Sequence, residues 1–150
     1  MAAPTITEYY SEDHTRLDGL FESYLKSKGG NSEKALSLLE QFKSGLEQHM
    51  AWEEAILFPE FDERIPSPDE ESPTVDLRFE HEQLREYLEI VLRKMKENNR
   101  DTGKDEARLG ELLAAHNWAE ETGVYVRLDK ALNDSTRAEI YQRMKDAALI

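Results

Sequence analysis

The sequence predicts an all-α protein: an up-down-up-down antiparallel four-helix bundle with a short C-terminal fifth helix. Three observations carry this. Apolar residues recur at alternating steps of three and four, the inward stripe of a bundled helix. Strict alternation of apolar and polar residues, the mark of a half-buried strand, is absent. Breaks are sparse: Gly29-Gly30-Asn31, residues 65–75 (IPSPDEESPTV), residues 98–104 (NNRDTGK) and Asn133-Asp134-Ser135. Four long segments joined by short loops make antiparallel neighbours.

The first helix is expected over about residues 6–28, with Tyr10, His14, Leu17, Phe21 and Tyr24 facing inward. The second, about 32–64, carries Leu39, Phe42, Leu46, His49, Glu53 and Ile56, and Pro59 is expected to bend or end it near Phe58. The third, about 74–98, follows the acidic loop Asp69–Glu71, read as a solvated linker, and presents Leu77, His81, Leu84, Leu88 and Val91. The fourth, about 102–131, presents Leu109, Leu113, His116, Glu120 and Val124. A fifth, about 135–148, is capped by Asn133 or Asp134 and packs across one end. The 150 residues are read as a single domain, long enough for one real core.

Composition narrows the function. The formal charge is −13, from 32 acidic against 19 basic residues, which disfavours nucleic acid and anionic membranes and is compatible with cations. There is no cysteine, which excludes disulfides, thiolate metal sites and cysteine nucleophiles. No apolar run approaches the roughly 20 residues of a membrane span, and the first residues do not read as a signal peptide. A cytoplasmic location is expected.

All four histidines fall on the inward stripes, one per helix. His14 and His49 are 35 residues apart, and so are His81 and His116. Aligning the two halves with an offset of 67 places HMAWEEAILFPEFD (49–62) on HNWAEETGVYVRLD (116–129). Both read H-x-x-x-E-E, then an aliphatic (Leu57, Val124), an aromatic (Phe58, Tyr125) and a final Asp (Asp62, Asp129). DHTRLDGLF (13–21) likewise falls on EHEQLREYL (80–88). A duplicated helical hairpin closing on itself is the expected architecture.

Residues four apart share a helix face. His49 with Glu53, and His116 with Glu120, are therefore two inward pairs on parallel helices, and His14 and His81 complete the layer. At about 1.5 Å of rise per residue, His14 and His49 lie at comparable heights, roughly 20 Å from the loop joining their helices. Four imidazoles and two carboxylates in one buried layer require a cation. The mixed N/O set points to a pair of first-row metals, iron or manganese, ahead of zinc. Glu54 and Glu121 are read as solvated helix edges, and Trp52 and Trp118 as core packing.

The pattern His14, His49-x-x-x-Glu53-Glu54-x-x-Leu57-Phe58-Pro59, Glu80-His81 and His116-x-x-x-Glu120-Glu121 resembles the hemerythrin-like, or HHE cation-binding, family. The resemblance implies a four-helix bundle around an oxo- or hydroxo-bridged di-iron centre. It also implies His14, His49, His81 and His116 as terminal ligands, with Glu53 and Glu120 bridging; manganese is the lesser alternative. Oxygen-carrying members have a fifth histidine where this chain has Arg85, and a bridging Asp where it has Glu121. The four-His, two-Glu set is closer to the di-iron domain of iron-sulfur-cluster repair proteins that respond to nitric oxide. Those proteins also carry a cysteine-containing N-terminal domain, whereas these 150 residues hold no cysteine. The Glu-x-x-His motif of the ferritin-like di-metal bundles is not matched, since Ser11, Leu46, Arg78 and Leu113 precede the histidines by three.

No catalytic residue is assigned. Tyr10, one turn before His14, is expected either to hydrogen-bond an iron ligand or bound oxygen species, or to be a core tyrosine. Asp18 and Arg85, each four after a histidine, either pair across the bundle behind the ligands or are surface charges, the second reading being preferred for Asp18. The expected partners are a small diatomic ligand or peroxide and, for a reductase, an external electron donor. Three classes of function stay open: a binding module for O2 or NO serving sensing or storage, a peroxide- or NO-detoxifying enzyme, and a metal buffer or structural bundle. Arg85 in place of a fifth histidine leaves coordination exchangeable, which favours the enzyme over stable O2 carriage.

Overall fold

A computed structural model describes residues 3–147. Among them the chain forms five helices and no strand. They are α1 (Ile6–Ser27), α2 (32–64), α3 (Pro73–Lys96), α4 (103–131) and α5 (Asp134–Asp146). Four of the five starts, all but that of α4, are set by side-chain caps. Thr5 accepts from the amide of Glu8, Asn31 from Lys34, Ser72 from Thr74 and Asn133 from Thr136. Asn133, not Asp134, is thus the cap of α5. Asn98 adopts φ 59° just past the end of α3, the left-handed conformation that asparagine tolerates at a helix C-terminus. The expected end of α5 at residue 148 lies outside the described residues.

Helices α1 to α4 form a closed square in which each packs against the two beside it. Two apolar clusters fill it. One holds Leu17, Phe21, Tyr24, Leu39, Phe42, Leu46, Leu84, Leu88, Leu109 and Leu113. The other holds Ile6, Tyr10, Ile56, Phe58, Phe61, Leu77, Tyr125 and Leu128, together with Ile140 and Met144 of α5. The histidine stripe positions fall between the two. Helix α5 covers the second cluster, and Arg143 and Tyr141 fasten it to Glu60 and to the Pro4 carbonyl at 2.6 and 2.7 Å.

Both α2 and α4 are interrupted by one wide turn, Glu53–Leu57 and Glu120–Val124, in which the amides of Phe58 and Tyr125 bond back five residues, to the carbonyls of Glu53 and Glu120. Pro59 therefore neither ends α2 nor causes its irregularity. The helix continues to Arg64, and the second copy makes the same π-type turn with Val126 in the proline's place. Proline lacks the N–H that would bond the Glu54 carbonyl, and Arg78 Nη2 donates to that oxygen instead, at 3.2 Å.

The last residue of each repeat ties down the start of another helix. Asp129 accepts from the amides of Ile6 and Thr7 at 2.7 and 3.0 Å and from the Thr7 hydroxyl at 2.6 Å. Asp62 accepts from Ser72 Oγ and Thr74 Oγ1 at 2.6 and 2.8 Å. Asp129 thereby caps α1 across 122 residues of sequence and closes the square. Replacing it with alanine should cost about 1–2 kcal/mol, as cap losses do. Urea unfolding should show the lower midpoint at unchanged slope, and an unshifted midpoint would exclude this capping role.

Candidate metal centre

The four histidines enter the space between the clusters with their Nε2 atoms inward, at 0–3 % exposure, beside Glu53 and Glu120 at 0 %. Among the described residues, two groups of ligand-type atoms lie within 4.8 Å of one another: His14, His49 and Glu120, and Glu53, His81, His116 and Glu120. In the first half, His14 Nε2 is 3.1 Å from both His49 Nε2 and Glu120 Oε1, and His49 Nε2 is 3.4 Å from Glu53 Oε1. In the second, His81 Nε2 is 3.2 Å from Glu53 Oε1, and His116 Nε2 is 3.2 Å from Glu120 Oε1. Each glutamate spans both halves. Neighbouring donors in an octahedral shell with bonds near 2.1 Å stand about 3 Å apart, the spacing seen here.

Four of these atoms, Glu53 Oε1, Glu120 Oε2, His81 Nε2 and His116 Nε2, are buried without an aligned hydrogen bond. Buried polar atoms are seldom left so, and an unpartnered carboxylate oxygen is costly to desolvate. Imidazole nitrogens and carboxylate oxygens converging on one point suit a first-row divalent or trivalent ion. The donor set fits a metal.

Behind the ring nitrogens lies a layer that the sequence did not announce. Each Nδ1–H donates to a carboxylate of a neighbouring helix: His49 to Asp13 at 2.8 Å, His81 to Glu54 at 2.6 Å, His116 to Glu80 at 2.8 Å and His14 to Glu121 at 3.0 Å. The four bonds run round the square in one sense, α1 serving α2, α2 serving α3, α3 serving α4 and α4 serving α1. Two carboxylates precede a histidine by one residue and two follow a histidine by five, so the duplication repeats the device. Such partners fix the ring orientation and keep the Nε2 lone pair aimed inward.

Glu54 and Glu121 are therefore half-buried partners of imidazoles rather than solvated edges. The wide turn sends the first glutamate of each pair inward and the second toward the next helix. Of the two readings for Arg85 and Asp18, the pairing is not made: Arg85 Nη2 donates to Glu54 Oε2 at 3.0 Å and Nη1 to Glu82, while Asp18 is the exposed surface charge that was preferred for it. Arg85 stands behind His81 through Glu54. Trp52 is half-buried against the second cluster, whereas Trp118 is 68 % exposed and packs in no core.

Tyr10 does not reach a candidate ligand with its hydroxyl, which donates to Met144 Sδ at 3.3 Å while the ring lies edge-on to His49. The tyrosine at the site is Tyr125. Its hydroxyl lies 2.6 Å from Glu53 Oε2, 2.9 Å from Glu120 Oε1 and 3.3 Å from Nε2 of both His14 and His49. The sequence held one signal for it: Tyr125 is the repeat counterpart of Phe58, a polar handle where the other copy is apolar. Phe58 stacks on His81.

Without a metal, protons must balance the buried carboxylates. Burial pushes the His49 imidazole down, but the Glu53 charge and the hydrogen bonds to Asp13 and Glu53 lift it to about 10. Burial and the Glu120 charge act on His116 in the same way, also to about 10. Burial raises Glu53, but the His49 charge and its hydrogen bonds hold it well below the usual carboxylate range. Burial, then the Glu120 and Glu53 charges, push the Tyr125 phenol up.

The raised imidazoles stabilise the metal-free fold fully below their ordinary 6.5, and that contribution fades as pH climbs toward about 10. The depressed Glu53 contributes above its ordinary 4.5 and loses that contribution as pH falls. Chelator-stripped protein should thus melt highest between pH 4.5 and 6.5; a melting temperature that climbs steadily from there to pH 10 would contradict the paired charges. Glu54→Gln keeps the side-chain shape but weakens the acceptor of His81. It should lower metal affinity about 10–100-fold in a chelator competition, and unchanged affinity would deny Glu54 this role.

Comparison with known proteins agrees with the geometry. The model of the hemerythrin HHE cation binding domain matches residues 5–128, spanning all four helices of the square and every residue of the His/Glu layer. Neither a curated protein nor a solved structure gives a significant match. By its matched sequence, its helical bundle and its buried His/Glu groups, the chain belongs to the hemerythrin HHE cation-binding domain family.

Proposed function

We propose that the protein holds two iron ions between the halves of this layer and uses them to bind or react with a small ligand: O2, peroxide or NO. One observation carries the reading: four buried donor atoms from Glu53, Glu120, His81 and His116 have no aligned partner of their own. A pair of iron ions bound there would supply reversible ligation or one- and two-electron chemistry. In this reading His14 and His49 hold one ion, His81 and His116 the other, and Glu53 and Glu120 bridge. The carboxylates behind the rings orient them. The two apolar clusters flank the layer on both sides and keep bulk water from it.

Burial argues against a metal buffer as the second reading. A buffer exchanges its ion readily, whereas every Nε2 and bridging carboxylate here is sealed between apolar layers. The chain has no cysteine and no group of its own that carries electrons in quantity, so a reductase activity would draw on an external donor, while disproportionation of peroxide would not.

Metal analysis of protein from iron-replete cells should give two irons per chain, with charge-transfer absorption that changes on adding azide or peroxide. His81→Ala combined with His116→Ala should retain at most one. Iron-free protein under those conditions would overturn the reading. A reversible oxygen spectrum would identify a binding module, and peroxide consumption with oxygen release an enzyme.

A further inference from the structure

The two halves of the site are built from duplicated sequence, yet they are not equivalent, and the difference lies in two pairs of repeat counterparts. On the His14/His49 side stand Tyr10 and Tyr125, their rings 5.2 Å apart. On the His81/His116 side the same positions are Leu77 and Phe58, both in the apolar cluster. The Tyr125 oxygen lies 2.6–3.3 Å from four donor atoms, two imidazole nitrogens and one oxygen of each bridging glutamate. That is the separation of adjacent corners in one octahedral shell. Tyr10, by contrast, has a single partner, Met144 Sδ. The unpartnered nitrogens of the layer, His81 Nε2 and His116 Nε2, both belong to the opposite half.

Resting on the di-iron reading above, we infer that Tyr125 supplies an oxygen ligand to the metal held by His14 and His49, so that the exogenous ligand binds the metal held by His81 and His116, under the wall made by Phe58. The phenol proton leaves for solvent as the oxygen–metal bond forms, and no oxidant or reductant is consumed. With the oxo or hydroxo bridge of the di-iron reading counted, position one would then have six donors: two nitrogens, two carboxylate oxygens, the bridge and the phenolate. Position two would have five and keep one vacancy, and a groove of about 180 Å³ lined by Leu77, Glu80, Gly123 and Val124 runs past Glu80, the carboxylate behind His116. The duplicated site thus has a closed metal and an open one, and Tyr125 decides which is which.

The test is resonance Raman spectroscopy and azide titration of the protein loaded with ferric iron. Wild type should show a phenolate-to-iron band whose ring modes shift when the protein is grown on ring-deuterated tyrosine, and should bind one azide per iron pair. Y125F should keep two irons, lose the phenolate band and bind a second azide. F58Y plants the same hydroxyl in the other half. It should add a second phenolate contribution and weaken azide binding at least tenfold, and it keeps the inference testable if Y125F fails to fold. Two irons without any phenolate mode in wild type, or unaltered azide binding in F58Y, would overturn this inference and leave the di-iron reading standing. Failure to take up iron would overturn both.

Discussion

Two glutamates buried at the centre of an apolar bundle are the constraint on which the rest of the structure turns. Glu53 and Glu120 have no exposure, and a carboxylate so placed must meet positive charge or give up its own. The four histidines supply that charge when protonated and a metal shell when not. The hydrogen-bond layer behind them, the wide turns in α2 and α4, and the separation of the core into two apolar clusters all serve to hold these six side chains together in one layer without letting water in.

The duplication explains how so many polar groups came to be satisfied together. Each repeat contributes an imidazole preceded by an acid and another followed at five residues by an acid, and the acids serve the histidines of the next helix rather than their own. A bundle assembled in a different order would leave these carboxylates pointing at nothing. The polar layer therefore specifies the packing order of the helices, a role the apolar residues fill less well because one leucine stripe fits against another in several registers. Asp129 and Asp62 add to this by clasping helix starts that lie far away in sequence or across a loop.

Where the copies diverge, chemistry has room to differ. Tyr125 against Phe58 and Tyr10 against Leu77 make one half of the layer hydroxylated and the other apolar. Divergence at these positions costs the fold little, since all four side chains are buried and large. Its consequence falls on the electrostatics around the shared glutamates, one oxygen of each of which lies beside the Tyr125 hydroxyl.

The helices, their order of size and the inward placement of His14, His49, Glu53, His81, His116 and Glu120 were legible because a helix repeats every 3.6 residues and the stripe positions therefore follow from spacing alone. Family membership was legible for the same reason, being a matter of residue types at fixed offsets. Spacing along one helix carries no information about what lies across the gap. That is why Asp13, Glu54, Glu80 and Glu121 could not be assigned to the imidazoles they serve, and why the choice for Arg85 between a partner across the bundle and a surface charge stayed open until Glu54 was seen to face it. It is also why Trp118 read as core when it faces solvent, although Asp18 is the surface charge it was preferred to be. The π turns were illegible because they shift the helical phase by one residue, and after Glu53 and Glu120 the 3.6-residue extrapolation no longer holds. So the sequence by itself determined which residues face the centre of the bundle. Only the tertiary structure decided which of them touch, and that Tyr125 rather than Tyr10 reaches the glutamates, because contact between helices depends on rotation and height, which no single helix encodes.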